Sequence, residues 1–496
     1  VVTANQDSIE TDAEIDGSKL KLTPKRMLQP QSAYQVTLPT GALQSAAGNI
    51  VNQTYHYSFY TGVAPQQAQK NRISAGYSYT ATLLGDGTVW GWGKNTHGQL
   101  GNGVNTDSTS PVTAKGVGGA GILSDIVSIS AGGSHTAALK SDGTVVSWGY
   151  NYSGQLGDGG SPFSKSTPVR VKDSTGTGYL SEVTSISAGY NFTVALKADG
   201  TVWSWGFNKN GQLGDGTNED RNLPVQVKSP DGIGVLTDVV SVIAGNNTVA
   251  AIKKDGTLWT WGYNTNGQLG DGTLVSRNLP VQVKGPGGTD YLTDIASVAV
   301  GGFHMAALKT DGTLWSWGFN GDGQLGDGTK ISRSWPAQVK GPDGTGFSGA
   351  TAVALGYRFS LVLKSDGTLW SWGDNQLGQL GDGTTTGRNV PSAVSGIGMG
   401  VEEIAAGGEH AAILKSDGTI LAWGANGFGQ LGDGSTANSY LPTPVNWVHL
   451  RVLDSRPQPD AIIVPGQQTI EITFDQPISA GPQYGLIVVT ANHDSI

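Results

Sequence analysis

The sequence has no cysteine, few charged residues and no long apolar run, and each shortage excludes a class of protein. Without cysteine among its 496 residues, the chain forms no disulfide and offers neither a thiolate nucleophile nor a cysteine-ligated zinc site. Charged residues make up only 14%, and no cluster of Lys or Arg accompanies the net charge of −9, which argues against a nucleic-acid partner. No stretch approaches the roughly 20 apolar residues of a membrane helix, so we expect no membrane insertion.

Glycine and aromatic residues, in contrast, are abundant, with 76 Gly, 14 Trp and 15 Tyr. This combination indicates many tight turns in a folded chain, because a disordered chain lacks the apolar area of so many aromatic rings. The phrase DGTLWSWGFNGDGQLGDG, residues 311–328, recurs in near-copies at intervals of 51 to 57 residues. Regular repetition at this period predicts a repeat architecture. The seven copies begin at Asp86, Asp142, Asp199, Asp255, Asp311, Asp366 and Asp417.

One unit of the repeat, residues 183–227, contains four short segments with the character of strands: VTSISAG, FTVALKA, TVWSWG and PVQV. Four strands per unit is the composition of a propeller blade. The Asp-Gly pair between the second and third segments predicts a hairpin with a two-residue type I′ turn. Trp203 and Trp205 are two residues apart and project to one face of their strand, so we predict that both fill the wedge between blades.

The repeats resemble those of the RCC1-like seven-bladed β-propeller. The shared pattern is AG-x-x-H, L-x-x-DG, W-G-x-N-x-x-G-Q-L-G and P-x-x-V, and it extends over residues 73–448. The resemblance implies an all-β chain with seven blades. The family includes a chromatin-associated exchange factor and secreted bacterial β-lactamase inhibitor proteins. This chain has neither the basic tails nor the insertion between blades that the exchange factor's role calls for.

The two ends of the chain, residues 1–63 and 449–496, differ from the repeats, and residues 64–72 have the character of a linker. The runs L-x-L-T-P and Y-x-V-T-L-P-x-G-A-L in the first segment resemble the C-terminal half of a bacterial Ig-like (SbsA-type) surface domain. An alternating strand at residues 469–474, followed by Asp-Gln-Pro, resembles the N-terminal half of the same domain. We therefore expect a split Ig-like β-sandwich and a bacterial, extracellular or cell-surface location.

A nine-residue match connects the two ends, because VVTANHDSI at residues 488–496 repeats VVTANQDSI at residues 1–9 with eight identities. The simplest interpretation is one period of a tandem array, cut from a longer protein. A second is a polymer in which the C-terminal strands of one copy complete the half-sandwich of the next. Closure within one chain is the third. The candidate assembly residues are Val1, Val2, Tyr34, Gln35, Val36, Phe59, Ile472, Phe474, Val488 and Val489.

The recurrent polar residues have sufficient structural roles, and we expect no enzyme activity, no cofactor and no metal site. Histidine at the AG-x-x-H position of three repeats (His135, His304 and His410) alternates with Tyr, Phe and Thr, which favours a buried, hydrogen-bonded role. The acids of the GQLGDG loops recur with arginines a few residues later, which predicts ion pairs or hydrogen bonds that hold the loops. Those arginines are Arg221, Arg277, Arg333 and Arg388.

The stretches after GQLGDG vary between repeats, and loops on a rigid scaffold are the usual place of recognition. Phe163, Trp335 and Tyr440 are the candidate residues for binding on a propeller face, although Trp335 is equally consistent with a packing role. The favoured function is a structural or adhesive extracellular module, assembled as an array or fibre of neighbouring copies and contacting a host or matrix protein or glycan. The alternative is a specific protein-binding propeller, inhibitor-like or receptor-like, with Ig-like spacers.

Overall fold

The computed structural model describes residues 72–446 apart from residue 86, and it describes the flanking segments where they form strands. Six strands precede the repeats. They are β1 (Gln6–Ile9), β2 (Thr11–Asp16), β3 (Lys19–Pro24), β4 (Ser32–Leu38), β5 (Leu43–Ser45) and β6 (Tyr55–Thr61).

Each repeat folds into one four-stranded antiparallel sheet, or blade, whose strands follow one another along the chain. Blade 1 contains β7 (Ile73–Ala75), β8 (Tyr79–Leu83), β9 (Val89–Gly93) and β10 (Ser108–Thr113). Blade 2 contains β11 (Ile126–Ala131), β12 (His135–Lys140), β13 (Val145–Gly149) and β14 (Lys165–Arg170). Blade 3 contains β15 (Val183–Ala188), β16 (Phe192–Lys197), β17 (Val202–Gly206) and β18 (Arg221–Gln226). Blade 4 contains β19 (Val239–Ala244), β20 (Thr248–Lys253), β21 (Leu258–Gly262) and β22 (Arg277–Gln282).

The remaining blades repeat this arrangement, and 3₁₀ turns lie at Val117–Gly119 and Pro286–Gly288, between blades. Blade 5 contains β23 (Ile295–Val300), β24 (His304–Lys309), β25 (Leu314–Gly318) and β26 (Arg333–Gln338). Blade 6 contains β27 (Ala350–Leu355), β28 (Phe359–Lys364), β29 (Leu369–Gly373) and β30 (Arg388–Ala393). Blade 7 contains β31 (Val401–Ala406), β32 (His410–Lys415), β33 (Ile420–Gly424) and β34 (Ser439–Pro444). The strands that follow are β35 (Val452–Arg456), β36 (Ile462–Ile463), β37 (Ile470–Phe474), β38 (Ile478–Ala480) and β39 (Val488–Asn492).

The first strand of every blade lies innermost, because consecutive first strands contact one another around a central axis. Strand β7 contacts both β11 of blade 2 and β31 of blade 7, so the seven sheets form a closed ring. The fold is a seven-bladed β-propeller, as the sequence predicts. At the closure, Nε of Arg72 lies 3.0 Å from Oε1 of Glu403, and the same guanidinium bonds Glu402.

The wedge between blades is filled by the tryptophan that precedes the last glycine of the third strand in each repeat. In every blade its ring is buried, and its indole N–H donates to the carbonyl oxygen of the GQLG glutamine in the preceding blade, as from Trp205 to Gln155 at 2.9 Å. The first tryptophan of the pair departs from the prediction. Trp90 is buried, but Trp203 and its equivalents are only half-buried, and Nε1 of Trp203 donates to Oγ1 of Thr201, the residue before its strand.

The predicted two-residue type I′ hairpin is also wrong in detail. In blade 2, Gly143 N–H donates to Lys140 O at 3.0 Å, and only Gly143, not Asp142, has a positive φ, of 78°. The loop is therefore a three-residue connection, a turn followed by a left-handed glycine. Asp142 accepts the N–H of Thr144 at 2.9 Å, which explains why an acid precedes the glycine.

Strands from the two ends of the chain pair with each other. Strand β39 lies between β1 and β4 in a five-stranded sheet, with Val489 opposite Val36 in β4 and opposite Ile9 in β1. In a second sheet, β37 pairs with β3 and β35, with Ile472 opposite Leu20. The candidate assembly strands thus pair within one chain. Val1 and Val2 lie outside the described residues.

Candidate functional site

A set of three-residue loops joins the first and second strands of the blades and converges at one end of the propeller axis. The middle residue of this loop is tyrosine in blades 1, 3 and 6, namely Tyr77, Tyr190 and Tyr357. The remaining blades carry Gly133, Asn246, Gly302 and Gly408 at this position. Since these loops follow the innermost strands, their side chains are the nearest to the axis on this face.

The three tyrosines meet across the axis. The ring centroid of Tyr77 lies 5.5 Å from that of Tyr190, with an interplanar angle of 89°, and 5.5 Å from that of Tyr357, with an angle of 88°. Phe303, from blade 5, extends the cluster with its centroid 5.0 Å from Tyr357. Edge-to-face geometry is the favourable arrangement of aromatic pairs. The side chains remain partly exposed, so the cluster forms an aromatic surface at the end of the axis.

Glycine in the neighbouring loop is what lets each tyrosine approach the axis. Around the ring, each tyrosine lies one blade after a loop with glycine at the middle position. Gly133 lies in the blade before that of Tyr190, Gly302 in the blade before that of Tyr357, and Gly408 in the blade before that of Tyr77. A Cβ at Gly133 or Gly302 would lie 2.5 Å from the carbonyl oxygen of the adjacent tyrosine, and one at Gly408 would overlap Tyr77 O. Gly133 N–H donates to Tyr190 O at 3.0 Å. The alternation of tyrosine and glycine therefore has a steric cause.

A second set of aromatic side chains surrounds the first on the same face. It comes from the residue after the buried Trp-Gly pair, in the loop between the third and fourth strands. Tyr150 stacks on Tyr152 with centroids 5.8 Å apart, and His97 lies 4.8 Å from Tyr150. Tyr152 is 68% exposed. The other aromatic members are Phe207, Tyr263 and Phe319.

Charged groups occupy the part of this face that belongs to blades 5, 6 and 7. The guanidinium carbon of Arg358 lies 5.8 Å from the ring centroid of Tyr357, and its NH1 lies 3.6 Å from Oδ2 of Asp322. Burial raises the pKa of the Glu409 carboxyl, as does the nearby Asp374, while Arg358 opposes both. Burial, together with Glu409, also raises the pKa of the Tyr77 phenol.

The histidines of the AG-x-x-H position have the structural role that the sequence predicts. All three are buried, and Nε2 of His135 lies 2.9 Å from Oγ1 of Thr193 in the next blade. The Thr193 hydroxyl donates onward to Gln155 O at 3.0 Å, so it accepts from the imidazole. His304 makes the same contact with Ser360, and His410 with Thr80. Among the described residues, no group of three or more His, Cys, Asp or Glu side chains could hold a metal ion.

The predicted pairing of loop acids with arginines is confirmed in blades 3 to 6. NH2 of Arg277 lies 3.1 Å from Oδ2 of Asp271, whose side chain is only 7% exposed. The same carboxylate accepts hydrogen bonds from Asn264, Thr273 and the Thr273 backbone. These contacts anchor the long loop to its own blade. The other pairs are Arg221 with Asp215, Arg333 with Asp327, and Arg388 with Asp382.

The three aromatic residues singled out in the variable loops belong to blades that are not adjacent. Phe163 precedes β14 and is 67% exposed, whereas Trp335 and Tyr440 belong to the outermost strands β26 and β34. Trp335 packs near Gly288, and Tyr440 packs against Gly378. A groove of about 520 Å³ on the circumference, beside β18, is lined by Trp203 and residues 221–226. The structure does not bring the three residues into one surface.

Sequence reasoning missed the axial tyrosines, although a signal for them exists. The residue after the first glycine of this loop is Tyr in three repeats, Gly in three and Asn in one, and this pattern becomes informative once the repeats are placed side by side in a ring. No helix in the part of the chain that the structure describes is long and apolar enough to span a bilayer.

Fold and site together define a closed seven-bladed propeller with an aromatic surface at one end of its axis. The RCC1-like domain family matches residues 119–457, more than half of the chain, and the chain therefore belongs to this family. The regulator of chromosome condensation repeat matches residues 86–139 and 71–99. The bacterial Ig-like domain family matches residues 1–61.

Known proteins are similar to most of this chain. The ultraviolet-B receptor UVR8 of Arabidopsis thaliana is 32% identical over 372 residues, which cover 75% of this chain and 80% of that protein. The human E3 ubiquitin-protein ligase HERC2 is 33% identical over 362 residues, 72% of this chain but only 7% of HERC2. Yeast RCC1 (Prp20), solved bound to Kap60, superposes with a TM-score of 0.62 at 21% identity, covering 83% of this chain and 94% of that one.

Proposed function

We propose that the chain is a protein-binding propeller and that its recognition surface is the axial aromatic face. The observation that carries this proposal is the contact of Tyr77 with both Tyr190 and Tyr357 across the axis. Aromatic side chains are enriched at protein interfaces, where they supply large contact areas at low entropic cost. Here they are partly exposed and concentrated on one face of a rigid ring.

The surrounding residues support a protein partner. Half-buried aromatic rings interleaved with amides and a few charges match the composition of an interface core and its rim. The loops that carry them are short and held by the blades, so little ordering entropy is lost on binding. Among the family members, yeast RCC1 has been solved bound to a protein, Kap60.

We further propose that residues 1–63 and 449–496 form one Ig-like sandwich that acts as a spacer, in an exported protein. The match of residues 1–61 to the bacterial Ig-like family and the pairing of β39 with β1 and β4 support this assignment. The comparisons give no support to an adhesive fibre. Pairing within one chain also removes the reason for copies to complete one another.

The test is an unbiased selection of binding peptides from a displayed library, with the wild-type chain as the immobilised target. Selected peptides are expected to bind Tyr190→Ala and Tyr357→Ala at least tenfold more weakly, the size of effect that loss of an interface aromatic produces. Trp335→Ala, on the outermost strand of blade 5, is the matched control and should bind normally. Binders that tolerate both tyrosine substitutions but lose affinity for the control variant would place recognition on the circumference and overturn the proposal.

A further inference from the structure

The axial face contains a carboxylate with no counter-ion of its own. Glu409 follows Gly408 in the blade 7 loop, and Gly408 N–H donates to Tyr77 O at 3.2 Å, which holds the loop against the aromatic cluster. The Glu409 side chain is half-buried. Among residues 72–446, no hydrogen bond reaches its carboxylate and no basic group lies within 4 Å of it. A half-buried carboxylate in this condition favours a cation supplied from outside.

Arg358, the basic residue whose charge acts to lower the pKa of Glu409, is already engaged elsewhere. Arg358 lies over the rings of Tyr357 and Phe319, at 5.8 and 6.0 Å from their centroids, and its NH1 approaches Asp322 at 3.6 Å. Asp374, whose N–H donates to Arg358 O at 2.9 Å, adds another negative charge near Glu409. This part of the face therefore carries more negative than positive charge.

The groups around the axis offer acceptors and aromatic rings to a ligand. In blade 4, Asn246 has a buried side-chain oxygen with no hydrogen-bond partner. Tyr77, Tyr190 and Tyr357 present the rings that attract cations through their negative faces. A positively charged group with N–H donors complements the carboxylate and the rings, because it pairs with the first and is attracted by the negative faces of the second.

We infer that the axial face receives a lysine or arginine side chain of the partner protein, with Glu409 as its counter-ion. This inference rests on the proposed function and names the chemistry of the partner's docking residue. A partner that placed an acidic group at the same point would leave Glu409 facing a like charge. A neutral partner would bury the carboxylate without compensation.

The experiment repeats the peptide selection with three targets: the wild-type chain, Glu409→Gln, and Glu219→Gln as a matched control. Glu219 is an exposed acid in the long loop of blade 3, 3.9 Å from Arg221 and away from the axis. Thermal unfolding of each variant establishes that it is folded. We expect peptides selected on the wild type and on the control to share a Lys or Arg at one position, and those selected on Glu409→Gln to lack it.

A synthetic peptide from the wild-type selection supplies the measured effect. Replacing its basic residue by norleucine should weaken binding to the wild type roughly ten- to a hundredfold, the range expected for one lost charge-assisted contact. The same replacement should change binding to Glu409→Gln less than threefold. The inference is overturned if axial binders carry no shared basic residue, or if the preference persists in Glu409→Gln. If no selected peptide depends on the tyrosines, the proposed function fails as well, so the two failures are distinguishable.

Discussion

The imidazole of His135 and the hydroxyl of Thr193 join blades 2 and 3 through a buried hydrogen bond of 2.9 Å. The equivalent pair between blades 3 and 4 is apolar, with Phe192 packed in the same cluster as Val249. These are two of the pairings by which adjacent blades of this chain pack at the AG-x-x-H position. Where the AG-x-x-H position of one blade is His, the next blade supplies Thr or Ser at the contact. Where that position is Phe, the next blade supplies Val or Ala.

These two pairings should be exchangeable only as complete pairs. Thr193→Val leaves the Nε2–H of a buried imidazole without an acceptor, and we expect it to lower the free energy of unfolding by about 2 kcal/mol. His135→Phe combined with Thr193→Val recreates the Phe192 and Val249 pair and should recover much of the loss. Urea unfolding of both single variants and the double variant gives the coupling free energy. A coupling free energy near zero would contradict the paired arrangement.

Acid should weaken the propeller through its buried histidines. Burial lowers the pKa of His135 and of His304 to about 3 and that of His410 to about 4, against an ordinary value near 6.5. Between the lowered pKa values and 6.5, the unfolded chain binds more protons than the folded one. The contribution of these histidines to the free energy of unfolding is therefore fully present above about pH 6.5 and is lost as the pH falls. The loss is up to about 1.4 kcal/mol per pH unit for each histidine.

Buried carboxylates respond in a different pH window. Burial acts to raise the pKa of Asp271, but hydrogen bonds from Thr273 and Arg277 outweigh it, so that pKa is lowered and its contribution fades only below about pH 4. Urea midpoints measured from pH 7 to pH 4.5 therefore report the histidines together with Glu409, whose raised pKa acts in the opposite direction. The His135→Phe, Thr193→Val double variant should show a smaller slope in this range. An unchanged slope would mean that His135 is not among the titrating groups.

An arginine and aspartate pair should also be replaceable by the residues that blade 1 carries at the same two positions. Arg277→Ser removes one partner of a largely buried carboxylate and should lower stability by about 1 kcal/mol, a modest figure because the arginine is 37% exposed. Blade 1 has Asn102 and Ser108 at these positions, with Asn102 bonded to Asn95 at 3.1 Å. Adding Asp271→Asn to Arg277→Ser should therefore restore stability, as measured by thermal unfolding. Further destabilisation by the second change would refute this equivalence.

Closure of the ring should depend on one of two adjacent acids. Glu403 accepts the backbone N–H of Arg72 at 2.7 Å and its Nε at 3.0 Å, so Glu403→Ala should cost about 2 kcal/mol or more. Glu402 is more exposed and bonds only the guanidinium, and Glu402→Ala should cost less than about 1 kcal/mol. Urea unfolding compares the two directly. Equal losses would show that charge near Arg72, and not the backbone contact, closes the ring.

Much of the propeller is predictable because its determinants are local and repeated. The seven phrases predict seven blades, and the Asp-Gly pair predicts a hairpin at the right place, although Asp142 does not adopt the positive φ of a type I′ turn. The recurrence of arginine with aspartate predicts ion pairs such as Arg277 with Asp271, because both residues belong to one loop.

The axial site is not predictable in the same way. Tyr77 contacts Tyr190 and Tyr357 only because blades 1, 3 and 6 face one another across the axis, and those residues are far apart in sequence. Phe163, Trp335 and Tyr440 attract attention in the sequence as large residues in variable loops. These three residues lie in blades that are not adjacent, and the sequence of each loop does not indicate where the other two residues lie.

The indole of Trp92 in blade 1 donates to Gln430 O in blade 7 at 3.0 Å, while its equivalents bond the preceding blades at 2.8 to 3.0 Å. The joint between blade 7 and blade 1, where the last repeat meets the first, thus has the same chemistry as the six joints between blades that are consecutive in the chain. Because every blade is built from consecutive strands, the chain could begin at a different blade without changing which blades are neighbours around the axis. A cyclic permutation that opens the chain between any two blades and connects blade 7 to blade 1 preserves every interblade tryptophan contact.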